Sequence, residues 1–320
     1  MTPAAKTRSE FKVVFRGVRG SHPVSGKQYQ KYGGYTSCYE IRAGNCLIIV
    51  DAGTGIINLG QDLMDEYMAT GKSLEQRVPV EAIILFTHVH VDHVQGLPFF
   101  APMHLADSTF YFFGPDVHGF SFEESIGYAI EPPIFPISMD DMISAKLFRS
   151  ISHTESLYWS EKKGIPSVVN DFREPERKKQ AAKNNSVRIS CMKSYAHPNG
   201  GVLIFKIEYK KKTVVLATDT EGYIKGDSKL IQFSGGADLL IHDAGYTDEA
   251  YSDANHCKQG YGHSTMEMAV DVAKKANVKQ LALVHHEPAN DDKTVDSIQK
   301  NCQKLFPNSF AAFEGQEVII

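Results

Sequence analysis

The chain is 320 residues long, 42% hydrophobic and 22% charged, with a formal net charge of −4. This is the composition of a soluble globular protein with one large α/β domain or two small ones, and it excludes a global electrostatic pull toward nucleic acid. Cys38, Cys46, Cys191, Cys257 and Cys302 have no CxxC spacing, the first residues lack an apolar stretch and no run reaches membrane-span length; a disulfide framework, a zinc ribbon, a signal peptide and a membrane span are therefore not expected, and a reducing, cytoplasmic setting is.

The first third is rich in strand signals. Residues 11–18 alternate in part and end at Arg19-Gly20, and residues 36–41 and 46–50 read as two strands paired about an Ala43-Gly44-Asn45 turn. Asp51-Ala52-Gly53-Thr54-Gly55 is a tight turn, followed by helical spacing over 56–68 with Ile57, Leu59 and Leu63 as core positions. A strand is expected over 80–86, a short helix start over 94–100, a strand over 109–113 and a helix over 122–130. Residues 145–186 are dense in charge and their apolar spacing fades, so they read as an inserted surface arm or flap. Strand signals resume at 187–192, 202–209, 213–217 and 237–241. A helix over 264–276 has Ser264 as its cap and Glu267 completing a capping box. A strand at 281–284, a helix at 294–305 and a closing strand over 311–320 finish the chain. Each half runs strands and then helix. The expected fold is α/β, an αββα sandwich of two packed mixed sheets with helices on the outer faces, forming one domain over 1–320.

Residues 88–93 read HVHVDH directly after the apolar run Ala82-Ile83-Ile84-Leu85-Phe86. Neutral imidazoles and carboxylates are ligands for zinc, manganese or iron, and packing so many together is costly unless something binds them. His88 and His90 are two apart and can point the same way, while Asp92 and His93 follow in the turn and can face a second ion. Further candidates sit at expected strand ends: His197, Asp219, His285 and His286. Strand ends on one sheet edge converge, and a carboxylate there can bridge two cations about 3.5–4 Å apart.

Asp51 in DAGTG, the HVHVDH cluster, His197, Asp219 and His285 occur in the order in which the chain resembles the metallo-β-lactamase superfamily over nearly its whole length. Carried over by position, the resemblance implies His88, His90 and His197 on one metal, Asp92, His93 and His285 on the other, and Asp219 bridging. His285 is favoured over His286 because the family's last ligand ends the strand directly. True lactamases carry Cys where Asp219 stands, and flavodiiron oxygen reductases carry Glu where His90 stands, so neither chemistry is expected. His263-Ser264-Thr265 resembles the signature of the phosphodiesterase branch. RGVRGSHPV, LIHDAGYTDEAY, GYGHST and LVHHEP are more similar to bacterial cyclic phosphodiesterases of the phosphonate-breakdown type than to RNase Z.

The expectation is a dinuclear metal-dependent hydrolase with two divalent ions (Zn, Mn or Fe). It would cleave phosphodiesters, foremost cyclic nucleotides or related small cyclic phosphodiesters, by attack of a metal-bridging hydroxide. Asp92 belongs to the catalytic group, and His263 assists the leaving oxygen. Asp51, Glu221, Asp243 and His286 are candidates for supporting the ligands or touching substrate, with Tyr246 able to reach the site. The alternatives are a tRNA 3′-processing endonuclease gripping RNA through the 145–186 arm, a thioesterase or lactonase, and a non-catalytic metal-binding sensor. No membrane partner is expected, and a homodimer is compatible with the pattern.

Overall fold

Alternation builds the layer between the sheets. In β1 (Phe11–Gly17), Phe11, Val13 and Phe15 are buried on one side, and Tyr39, Ile41 and Ala43 of β2 (Cys38–Ala43) join them. The protein is described from a computed structural model covering residues 10–160, 165–182, 186–223 and 225–320. The first half continues with β3 (Cys46–Val50), α1 (Gly55–Thr70), β4 (Glu81–Leu85), α2 (Val91–Val94), β5 (Thr109–Gly114), α3 (Phe122–Gly127) and β6 (Ala145–Ser150). There follow β7 (Glu155–Trp159), β8 (Ser167–Asn170), α4 (Pro175–Ala182), β9 (Val187–Ser194), β10 (Val202–Tyr209), β11 (Lys212–Ala217), α5 (Ser228–Phe233) and β12 (Leu239–Asp243). The chain ends with α6 (Asp248–Tyr251), α7 (Met266–Lys275), β13 (Leu281–Val284), α8 (Asp292–Leu305), β14 (Ser309–Ala311) and β15 (Glu317–Ile319).

Among the described residues the strands form two sheets. One has seven strands in the order β15-β1-β2-β3-β4-β5-β6, the other eight in the order β14-β13-β12-β11-β10-β9-β7-β8. Both are mixed: β3, β4, β5 and β6 run parallel, as do β11, β12, β13 and β14, while the remaining pairs are antiparallel. Phe15, Ile48, Leu85, Phe205, Leu216 and Ile241 meet in the central layer. The outer face of the first sheet buries Ile49, Ile84 and Phe112 with Leu59 and Leu63 of α1, and that of the second buries Val215 and Leu240 with Ala269 and Val272 of α7. Fully burying a side chain of this size is worth roughly 1.5–3 kcal/mol. This is the expected αββα arrangement, and its core anchors the strands whose ends carry the histidines.

Three local expectations differ from the structure. The 145–186 stretch is not simply an arm. β6 extends the first sheet beside β5, and β7 pairs with β9 and β8 in the second, with Leu157 and Trp159 in the central layer. The charged runs on either side masked this short alternation. Among the described residues of this stretch, α4, a helix with no buried residue, has the character of a surface arm. Residues 311–320 divide between β14 and β15, which belong to different sheets. The helix expected from Ser264 is capped at Thr265 with no side-chain cap bond, because the Ser264 hydroxyl donates to the Thr220 carbonyl instead.

Candidate metal centre

One rim gathers the candidate ligands. Asp51 follows β3, His88 to His93 follow β4, His197 follows β9, Asp219 follows β11, Asp243 ends β12 and His285 follows β13. Parallel strands put their carboxyl ends on the same edge, where α/β folds hold their ligands. Asp51, Asp219 and His285 leave their strands with φ of 62°, 53° and 60°. This left-handed conformation is costly for such residues and clusters at functional sites.

The seven expected ligands form two adjoining groups, His88, His90 and His197, and Asp92, His93, Asp219 and His285. Within each group, one atom per side chain lies within 4.8 Å of every other. His197 Nε2 stands 3.0 Å from His90 Nδ1. His285 Nε2 is 3.1 Å from Asp219 Oδ1 and 3.3 Å from Asp92 Oδ2. His93 Nε2 is 3.3 Å from both Asp92 Oδ2 and Asp219 Oδ2, and His88 Nε2 is 3.9 Å from Asp219 Oδ1. Ligands about 2.0–2.2 Å from one ion at tetrahedral angles stand about 3.3–3.6 Å apart, so the spacing fits a shared cation.

The tautomers are fixed from behind. His93 Nδ1 donates to Asp51 at 2.8 Å. His88 Nδ1 donates to Thr87 Oγ1 at 3.0 Å, which itself donates to Asp51 at 2.9 Å. His197 Nδ1 donates to the Gly262 carbonyl at 3.2 Å. In the neutral form of these rings the opposite nitrogens present lone pairs to the centre, and Nε2 of His88 and of His93 is buried without a hydrogen-bond partner. A buried acceptor with no donor is expensive, and a metal ion is the group this donor set fits.

The electrostatics agree. Burial pushes the His88 imidazole well below its usual range and His197 down to about 4, so both favour the neutral, ligating form. Burial pushes the Asp219 and Asp92 carboxyls up, but His285 and His93 outweigh it and hold both below the carboxylate range. Burial would likewise lower His93 and His285, yet Asp219 and its neighbours hold them well above the imidazole range. This group demands positive charge at its centre, as protons or as cations.

The remaining candidates fall in different places. Asp51 is fully buried and braces His93 and Thr87. His263 lies at the edge, its Nδ1 donating to Asp243 Oδ2 at 2.7 Å, its ring stacked on His285 at 4.6 Å and met edge-on by Tyr246. Glu221 does not reach the ligands. It accepts from the backbone of Gly260 and Gly262 and from the Tyr251 hydroxyl, and so pins the turn ahead of His263. His286 is a correction: its ring turns away, donating to the Ala312 carbonyl at 2.8 Å and packing on Tyr32. With the strand ending at Val284, consecutive side chains diverge, and His285 takes the inward position.

Sequence reasoning missed Thr87, Gly20 and the Ser21 amide. Ser21 N donates to Asp92 Oδ2 at 2.8 Å. A side chain at Gly20 would fall inside the His285 ring. Gly20→Ala is therefore expected to displace His285 and lower metal affinity about 10–100-fold, as loss of ligand support does, with the fold retained. Metal analysis after dialysis, alongside circular dichroism, checks this; unchanged metal content would show that His285 does not need this space. The position of Thr87 directly before HVHVDH was the one available signal for it.

Comparison with known proteins agrees with this architecture. A metallo-beta-lactamase superfamily model matches residues 32–102 and a beta-lactamase superfamily domain model matches 175–286, so the two matches contain all seven candidate ligands and His263. The chain belongs to the metallo-β-lactamase superfamily and has its fold. Among curated relatives, ribonuclease Z of Methanocaldococcus jannaschii is 26% identical over 257 residues, 73% of this chain and 78% of the relative. Ribonuclease Z of Halalkalibacterium halodurans is 36% identical over 103 residues, a match covering 32% of this chain and only 30% of that protein. Among solved structures, a diphosphatase from the PhnP family aligns with a TM-score of 0.60 at 12% identity, covering 96% of this chain and 97% of the other.

Proposed function

We propose that the chain is a metal-dependent phosphodiesterase, with His88, His90 and His197 holding one divalent ion, Asp92, His93 and His285 a second, and Asp219 shared. The observation that carries the reading is the pairing of ligand-ready, buried imidazole nitrogens with a histidine–carboxylate pair, His263 and Asp243, at the edge of the same cluster. Four buried carboxylates, Asp51, Asp92, Asp219 and Asp243, surround the centre, a formal −4 that two divalent cations would match. Such ions neutralise an anionic diester and activate water for in-line displacement.

The side chains supply the rest. Asp51 keeps His93 in one tautomer and orientation. Asp243 accepts the Nδ1 proton of His263, which leaves Nε2 to deliver or hold a proton at the leaving oxygen. Glu221 keeps the 260–262 turn, and through it His197 and His263, in place. Zinc, manganese and iron all suit this donor set. A cytoplasmic setting belongs to the same proposal, on the cysteine pattern; no described helix is long and apolar enough to cross a membrane.

Two substrate classes share these residues. A hollow of about 350 Å³ beside His197, between Tyr195 and Tyr223, suits a small cyclic phosphodiester. The relatives named ribonuclease Z support RNA, and RNA is the reading we favour. Metal-free protein is expected to be inactive and to recover on adding Mn or Zn. The check is a panel of bis(p-nitrophenyl) phosphate, cyclic mononucleotides, 1,2-cyclic ribose phosphates and short RNA, run before and after chelation. Turnover of neutral esters alone, with no diester cleaved, would replace this reading with an esterase or lactonase.

A further inference from the structure

The charge of the molecule is unevenly used. The lysines and arginine of the α4 region spend theirs locally: Arg177 pairs with Glu174, Lys178 with Asp171 and Lys179 with Glu176. Lys162 and Lys163 lie outside the described residues. Among the described residues, Arg177, Lys178 and Lys179 are thus engaged by neighbouring acids. A groove on the second sheet is the opposite case. It has a volume of about 510 Å³, lies between α5 and the β9–β10 pair, and is lined by Lys193, Lys206, Lys229 and His153 with no Asp or Glu among its lining residues. Among the described residues, none of these three lysines has a carboxylate within 4.0 Å. The nearest acid on the same strand, Glu208, is taken by Arg188 at 3.1 Å.

Aromatic rings alternate with the lysines. The Lys206 ammonium sits 4.3 Å from the Phe233 ring centre, and that of Lys193 5.4 Å from the Tyr195 ring. Lys206 is partly buried, and burial pushes its amine below the usual lysine range, so holding it unpaired here has a cost that an anionic ligand would offset. Tyr195, 75% exposed, also lines the hollow that contains His197. The groove and the mouth of the metal centre thus meet at one ring, two residues from a candidate ligand.

From this continuity we infer that the Lys193–Lys206–Lys229 groove is a binding track for single-stranded nucleic acid, taking the stretch that runs on from a diester held at the metal centre. It rests on the phosphodiesterase reading for its orientation and deepens it toward RNA. Phosphates meet the lysines, and a base stacks on Tyr195; unpaired cations interleaved with exposed rings suit a strand with free base faces. A single small cyclic diester would have no use for this surface.

The test is binding, which does not depend on turnover. A fluorescein-labelled single-stranded RNA of about 10 nucleotides is mixed with metal-loaded protein, and anisotropy is read in the first seconds over a range of salt. Replacing all three lysines with glutamine (Lys193→Gln, Lys206→Gln, Lys229→Gln) is expected to weaken binding about tenfold or more and to flatten the log–log salt slope by about 2, at about 0.7 per phosphate contact. The corresponding three arginine substitutions should restore binding, which separates lost charge from lost shape. Tyr195→Ala should weaken binding with little change in the salt slope. Glutamine substitutions that leave affinity and slope unchanged overturn the inference, as does a polyglutamate peptide competing as well as RNA. Hydrolysis of bis(p-nitrophenyl) phosphate by wild type is measured in parallel; its absence would count against the phosphodiesterase reading alone.

Discussion

Asp219→Ala is expected to remove bound metal and hydrolysis together. The two oxygens of this carboxylate serve different neighbours: Oδ1 faces His285 at 3.1 Å and His88 at 3.9 Å, while Oδ2 faces His93 at 3.3 Å and accepts from Thr218 at 2.6 Å. Asp219 groups both with Asp92, His93 and His285 and with His197 of the first ligand group. Its loss leaves imidazoles of both groups without their shared anion. Metal-based stabilisation of a reacting phosphate is worth several kcal/mol, so turnover should fall on the order of 10³-fold or more. Metal content by elemental analysis, measured beside diester hydrolysis, checks the pairing of the two losses. A variant that keeps its full metal content and activity would sink the bridging role. Full metal content with lost activity would instead confine Asp219 to substrate handling.

His263→Ala is expected to cost about 10²–10⁴-fold in kcat, the usual worth of a positioned acid or base, while metal content stays unchanged. The reason is its place at the edge: its ring stacks on His285, and its Nδ1 is committed to Asp243 at 2.7 Å. Asp243→Asn should reproduce much of that loss, since an amide can present its NH₂ where the carboxylate accepts a proton and so favours the wrong tautomer. Asp243 is a positioning residue here, acting through His263, and it also accepts from the amides of Gly245 and Ser264. The informative readout is leaving-group dependence. A group that protonates the leaving oxygen matters little for p-nitrophenolate and greatly for a ribose alkoxide. Both variants should therefore lose far less on bis(p-nitrophenyl) phosphate than on RNA or a cyclic nucleotide. Equal losses on all substrates would show that His263 supports the structure of the site and not the departure of the leaving group.

Much of the fold was legible because its strands are bounded by clear turns and alternate in polarity. The ligands could be read because imidazoles and carboxylates stood directly after apolar runs. What escaped had physical causes. Leu157 and Trp159 of β7 are two apolar positions between charged runs, too few to show a period, although they lie in the central layer. Ser264 has the chemistry of a cap, but its hydroxyl is drawn to Thr220, a tertiary partner 44 residues away. His286 carries the same side chain as His285, and only the direction in which β13 ends tells them apart. Gly20 has no functional group at all; its contribution is empty space beside a ring, which becomes visible only when the opposite end of the chain is in place. Glu221 shows the same limit, since its partners are amides 39 and 41 residues onward.

The centre also dates its own assembly. Asp92 and His285, which face each other across the second ligand group, are 193 residues apart along the chain, and His90 and His197 are separated by 107. Closing loops of such span costs chain entropy that local contacts do not. During synthesis the HVHVDH segment is made before His197, Asp219 and His285, so neither ligand group is complete until those later residues have followed. A truncated polypeptide ending before β13 would display most of the chelating groups yet lack the residue that closes the ring. On the proposed ligand set, retention of both ions would therefore require β13 in place, because it brings His285 to the second group.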